Sequence, residues 1–178
     1  MVYIMKFYVE GGCRGNGKPG SIGAAACCLM DRYRGGYRYK AKTEIEAIIM
    51  ALKWALEKYD TLDSYPRLVV QICSDSRYAI GCTDNWIYMW SQNGWLNSNG
   101  YETANRDLVQ KASNLDDRVR ELGSVEYKWV PRSDNFEADK QCNIMLDEQE
   151  SQRKHAAQFY QSDSDDPWWY WRIIGYTE

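Results

Sequence analysis

Four acidic residues stand where a hydrophobic segment ends or a helix begins. Glu10 follows Met-Lys-Phe-Tyr-Val, and Asp75 follows Val-Val-Gln-Ile-Cys. Glu46 lies in the first turn of an apolar helical repeat, and Asp139 in the first turns of the last long helix. If strand ends and helix starts converge, such carboxylates repel one another unless divalent cations neutralise them. All-oxygen ligation selects Mg²⁺ or Mn²⁺ over zinc. Two such ions about 4 Å apart can activate a water and stabilise the leaving oxygen of a phosphodiester. The same placements also arise for turn and helix-dipole reasons alone, with no metal. Other chemistries are poorly supplied. The single histidine, His155, leaves one candidate base for a Ser-His-Asp triad and too few imidazoles for a His-rich zinc site. Six cysteines (13, 27, 28, 73, 82 and 142) contain no C-x-x-C and read as small buried hydrophobes in a reduced compartment.

The elements that must position the acids follow from periodicity. Tyr3 to Glu10 mixes β-branched and aromatic residues and ends at Gly11-Gly12, a strand followed by a glycine turn. Ser21 to Met30 is apolar and small on both faces, as a central strand requires, and Tyr33 to Lys40 alternates as a third strand. Ile45, Ile48, Ile49, Leu52 and Leu56 then give one apolar helical face over Thr43 to Lys58. Arg67 to Cys73 is a short strand, followed by short helical stretches through Trp90 and Ser91. A polar helix over about Asn105 to Leu122 and a strand over Val125 to Val130 come next. Asp134 and Glu137 have capping-box spacing ahead of a helix running to about Glu150. Three strands joined by short turns must be antiparallel, and two reached through helical crossovers favour parallel pairing. The expectation is a mixed five-stranded sheet flanked by helices, one α/β domain over residues 1–150, then an acidic linker and aromatic tail over 151–178.

The 178 residues carry 22 basic and 25 acidic side chains, net −3. That total hides a tilt: residues 1–60 hold 10 basic against 6 acidic, residues 61–178 hold 12 against 19. Residues 31–42 alone hold five basic and one acidic side chain, so contact with an anionic partner must come from a local patch. The longest apolar run, Ile22 to Met30, is far short of the roughly 20 residues a membrane span needs. The strand pattern starts at once, without a signal segment. An intracellular protein, cytoplasmic or nuclear, with no membrane partner is expected. In the tail, Trp168, Trp169, Tyr170 and Trp171 follow Asp163, Asp165 and Asp166. Adjacent indoles form a patch that should be covered, either by folding back on their own domain or by a protein partner.

Taken together, "YVEGGCRGNGKPGSIGAAA", "EIEAIIMAL", "CSDSRYAI", "NWIYMWSQNGW" and "YKWVPRSDNFEADK" resemble, in order, the motifs of type 1 ribonuclease H. The tryptophan-rich segment most resembles the family's eukaryotic branch, fungal types among them. The resemblance implies a ribonuclease H-like fold and a metal-dependent endoribonuclease that cuts the RNA strand of RNA–DNA hybrids, leaving 5′-phosphate and 3′-hydroxyl ends. It implies a two-metal Mg²⁺ site, with Mn²⁺ as substitute, on Glu10, Glu46, Asp75 and Asp139. It places Asn16 where the family contacts ribose 2′-hydroxyls, the groups that distinguish RNA from DNA. Tyr78, Trp86 and Trp90 fall where its DNA strand packs, and Asn105 near a DNA phosphate. At i, i+4, Trp86 and Trp90 could equally be a buried helix face.

Three departures bear on activity. Glu10 replaces the family's usual first aspartate, and its extra methylene should disfavour Mg²⁺, with its strict octahedral geometry, more than Mn²⁺. Ala41, Lys42, Thr43 and Glu44 replace a Thr-x-Gln-Arg type run, with Lys40 and Lys42 left as point charges toward phosphate. The loop from Pro131 to Ala138 lacks the histidine many members carry. The alternative they leave open is a catalytically impaired module that binds nucleic acid or a protein partner without cleaving.

Overall fold

The computed structural model describes residues 1–30 and 43–156 in full, and residues 36–40 and 157–162 in backbone only. Strand β1 runs Val2–Arg14, β2 Ile22–Met30, β3 Gly36–Lys40, β4 Arg67–Ser74 and β5 Gly123–Trp129. They form one sheet in the order β3-β2-β1-β4-β5. The β1–β2 and β2–β3 pairs are antiparallel, whereas β1–β4 and β4–β5 are parallel. The parallel neighbours are reached through helix α1, Glu44–Tyr59, and through α2, α3 and α4, which span Arg77–Gly81, Ile87–Gln92 and Arg106–Leu122. A π-helical turn, Cys82–Trp86, joins α2 to α3. A 3₁₀ turn, Arg132–Asn135, precedes α5, Phe136–Ser162.

Alternation along β1 sends Met5, Phe7 and Val9 into the main core. There they meet Leu68, Val70 and Ile72 of β4, Ile45, Ile48 and Leu52 of α1, and Val109 and Val119 of α4. On the opposite face, Ile22, Ala24 and Ala26 of β2 pack against Cys142 and Leu146 of α5. One end of the sheet is thereby clamped between α1 and α5, and that end carries the acids.

Several sequence expectations need correction. β1 continues through Gly11 and Gly12 to Arg14, because these glycines pair in register with Ala25 and Ala24. The turn lies at Gly15 to Gly20 instead, where Gly15, Gly17 and Gly20 have φ of 70°, 74° and 83°. The Asp134–Glu137 capping box gives way to the 3₁₀ turn, in which the Asp134 N–H donates to the Pro131 carbonyl at 2.9 Å. Helix α5 continues to Ser162, past the expected stop near Glu150. The chain divides into two compact units, Met1–Leu146 and Asp147–Glu178, with the boundary inside α5. Arg32, Arg34, Lys42, Trp168, Trp169 and Trp171 lie outside the described residues. Among the described residues, no helix is long and apolar enough to cross a membrane.

Candidate active site

Glu10 projects from β1, and Asp75 follows directly on β4. These strands are parallel neighbours with Tyr8 opposite Cys73, so both acids emerge side by side at the same sheet end. One side chain joins them. The Asn135 Nδ2 group donates to Glu10 Oε2 at 2.8 Å, to Asp75 Oδ1 at 3.1 Å and to the Val9 carbonyl at 3.0 Å. Asn135 is fully buried. Beside it, the Arg132 guanidinium pairs with Asp139 through Nη2 and, at 3.1 Å, through Nε, and its Nε stands 4.0 Å from Asp75 Oδ2. Asn143, one turn along α5, donates to Asp139 Oδ2 at 3.1 Å.

The acid that α1 contributes is Glu44. Its Oε2 accepts a 2.6 Å hydrogen bond from the Ser76 hydroxyl, next to Asp75. Its backbone presses so closely on Gly11 that a Cβ there would overlap it. Glu46, which the family resemblance puts in this place, is turned back on the helix itself: its Oε2 accepts from the Thr43 N–H at 3.1 Å, closing a capping box. Residues two apart on a helix face different sides, so only one of the pair can look at the sheet. Sequence reading missed Glu44 and Asn135 alike.

Electrostatics marks this as a strained cluster. Burial, followed by the hydrogen bond and charge of Asp75, pushes the Glu10 carboxyl up to about 9, while Arg132 pulls the other way. Among the described residues, no three acids stand close enough to ligate one ion as they are. Protein donors lie between them instead: Asn135 between Glu10 and Asp75, Arg132 between Asp75 and Asp139. The donor set is all oxygen and short of positive charge, and a guanidinium already sits where cation charge is wanted. That chemistry fits a hard divalent cation.

The flanking residues fall on two sides. Asn16 is exposed at the tip of the β1–β2 turn, between two glycines of positive φ. Tyr78, Trp86 and Trp90 form an aromatic row, with ring centroids 6.0 and 5.7 Å apart. Both indoles pack partly against the core, whereas Tyr78 is 40% exposed. The row depends on Gly81, where a Cβ would stand 2.9 Å from the Trp86 ring. Asn105 sits at the head of α4 with φ 58°, close to Tyr78. Lys40 pairs through its backbone with Ala25 of β2. The row thus joins core packing to a partly open face, which the bare i, i+4 spacing left undecided.

Comparison with known proteins identifies the family and the fold. A ribonuclease H from Anaeromyxobacter dehalogenans is 35% identical over 119 residues, covering 63% of this chain and 62% of that relative. The chain therefore spans just under two thirds of that relative's length. A ribonuclease H from Pectobacterium carotovorum is 28% identical over 146 residues, 78% of this chain and 84% of that protein. In fold, LC9-RNase H1, a type 1 RNase H with the type 2 active-site motif, superposes with a TM-score of 0.57. It shares 23% identity and covers 79% of this chain and 71% of that one. LC11-RNase H1, isolated from compost, gives 0.55 at 20% identity over 81% and 96%. The RNase H family model matches residues 3–153, and the chain belongs to the RNase H family.

Proposed function

We propose that this chain hydrolyses the RNA strand of RNA–DNA hybrids, leaving 5′-phosphate and 3′-hydroxyl ends, with Glu10, Glu44, Asp75 and Asp139 holding two divalent cations. The observation that carries this reading is the gathering of Glu10, Asp75 and Asp139 around one buried amide and one guanidinium. Membership of the RNase H family supports the substrate class. The cations, Mg²⁺ or Mn²⁺, would supply an activated water and stabilise the leaving oxygen. The longer Glu10 favours Mn²⁺, the less exacting of the two in geometry.

The chain's own residues set substrate and register. Asn16, exposed on its glycine-flanked turn, would meet a ribose 2′-hydroxyl, the feature absent from DNA. The Tyr78–Trp86–Trp90 row would pack against the DNA strand, with Asn105 beside its exposed end at the head of α4. Lys40 and Lys42 act toward phosphates as point charges. Arg132 screens the acids from one another and holds Asp139 by Oδ1, leaving Oδ2, which accepts from Asn143, turned to a different partner.

A labelled hybrid incubated with Mg²⁺ or Mn²⁺ tests this reading. Cleavage of the RNA strand alone, faster in Mn²⁺ and abolished by Asp75→Asn and by Glu44→Gln, is expected. Cutting by Asp75→Asn at the parental rate would remove the acids from the mechanism. An unchanged rate in Glu44→Gln would return the α1 position to Glu46.

A further inference from the structure

We infer that Asn135 is a positioning residue that makes glutamate workable at position 10. The inference rests on the divalent-cation reading of the four acids. Glu10 has one more rotatable bond than an aspartate, and each such bond offers about three staggered wells. A carboxylate spread over several wells cannot be held to the roughly 0.5 Å that a productive site tolerates. One nitrogen, Asn135 Nδ2, touches both Glu10 Oε2 at 2.8 Å and the Val9 carbonyl at 3.0 Å. The carboxylate is thereby tied to the end of the strand from which it springs, and one well is selected. The same nitrogen reaches Asp75 at 3.1 Å, so the two acids are fixed relative to each other as well.

The amide can face only one way. With both acids ionised, as metal ligation requires, turning it over would set its oxygen against two carboxylates and a carbonyl, all acceptors. In the observed orientation Asn135 Oδ1 is buried with no hydrogen-bond partner among the described residues. Such an orphan keeps the full desolvation penalty of the carbonyl. A purely structural asparagine would be expected to satisfy both ends of its amide, whereas this one directs both its N–H donors, at least one of them shared, to Val9 and the two acids. The 3₁₀ turn Arg132–Asn135 fixes where the residue enters the sheet end, immediately before α5 delivers Asp139.

A double-mutant cycle read by Mn²⁺ calorimetry tests the assignment, using the full chain, Asn135→Ala, Glu10→Asp and the double variant. If Asn135 acts by restraining the longer acid, Asn135→Ala weakens Mn²⁺ binding at least tenfold beside glutamate. In the Glu10→Asp background, with one bond fewer to restrain, the loss is under threefold. Melting curves show which variants are folded, and Asn135→Ser replaces Asn135→Ala in the cycle if the latter does not fold. Equal losses in the two backgrounds overturn the inference while leaving the metal reading intact. Mn²⁺ binding that survives Asp75→Asn overturns both.

Discussion

Glu10 is the most perturbed acid of the site, and its environment sets a pH dependence for the metal-free protein. Its carboxyl is raised from an ordinary value near 4.5 to about 9, first by burial and then by Asp75. Between those values the folded chain holds a proton that the unfolded chain releases, so stability falls as pH rises through the window. Thermal melts in chelator at pH 5, 7 and 9 should show a decreasing midpoint, and Glu10→Gln should flatten the trend. Saturating Mn²⁺ should raise the midpoint most at high pH, where the acid is ionised and free to ligate; at 100 times Kd, binding contributes about 2.7 kcal/mol. A midpoint that climbs from pH 5 to 9 in chelator would contradict the buried, neutral glutamate. At this scale, much of the site was legible. Glu10, Asp75 and Asp139 announce themselves by standing at strand ends and in a helix's first turns. Glu44 does not, because it shares its turn with Glu46 and spacing alone cannot say which side of α1 meets the sheet. Asn135 was invisible for a different reason: an asparagine just before a helix reads as a cap, and its real partners are 60 and 125 residues away in the chain.

Elements are held by two close approaches, of which only the first bears directly on those residues. The first is Gly11 against the start of α1. A side chain there would collide with backbone, which cannot rotate away, so Gly11→Ala must move the helix. Overpacking of this kind costs about 1–3 kcal/mol. Because Glu44 is the residue displaced, Mn²⁺ affinity should fall together with the melting midpoint; a lower midpoint with unchanged affinity would separate α1 from the metal site. The second lies at the β5 edge of the sheet, on the same face as α1, where α4 and β5 share a buried acid. Asp116 Oδ1 accepts from the Tyr127 hydroxyl at 2.9 Å, and Arg120 pairs with its other oxygen. Burial, then the charge of Asp116, holds the Tyr127 hydroxyl protonated far above its ordinary range. Asp116→Ala leaves that hydroxyl without its acceptor, and the half-exposed Arg120 loses less. Chemical denaturation should show a loss of about 2 kcal/mol, with hybrid cleavage per folded molecule unchanged. Element types and order were readable from periodicity, since β1, β2, β4, α1 and α4 carry clear apolar faces. Their ends were not. β1 passes its own glycines because β2 pairs with them, and the π-helical turn that aims Trp86 has no local sequence signal.

The whole molecule carries net −3 and, on the proposed function, must still approach a polyanion. Its far field therefore repels a hybrid, and affinity has to come from short-range contacts that displace condensed counterions. The sequence concentrates such contacts in residues 31–42, with five basic side chains against one acidic. The acids of the site work against them unless cations are bound. Two consequences can be measured by titrating a fluorescent hybrid into cleavage-incompetent Asp75→Asn protein over a range of salt. Affinity should fall linearly in log–log form. Replacing Arg38 and Lys40 with glutamine should flatten the slope by close to one unit for each phosphate left without its cation. Ca²⁺, an oxygen-seeking ion, should strengthen binding in the otherwise unmodified chain by offsetting the acids nearest the scissile phosphate, and should do so less in Asp75→Asn. A slope that is flat with salt, or unmoved by the paired substitution, would mean that the hybrid does not bind through this patch. The aromatic row would then have to hold the substrate largely through stacking, a contact that depends far less on salt.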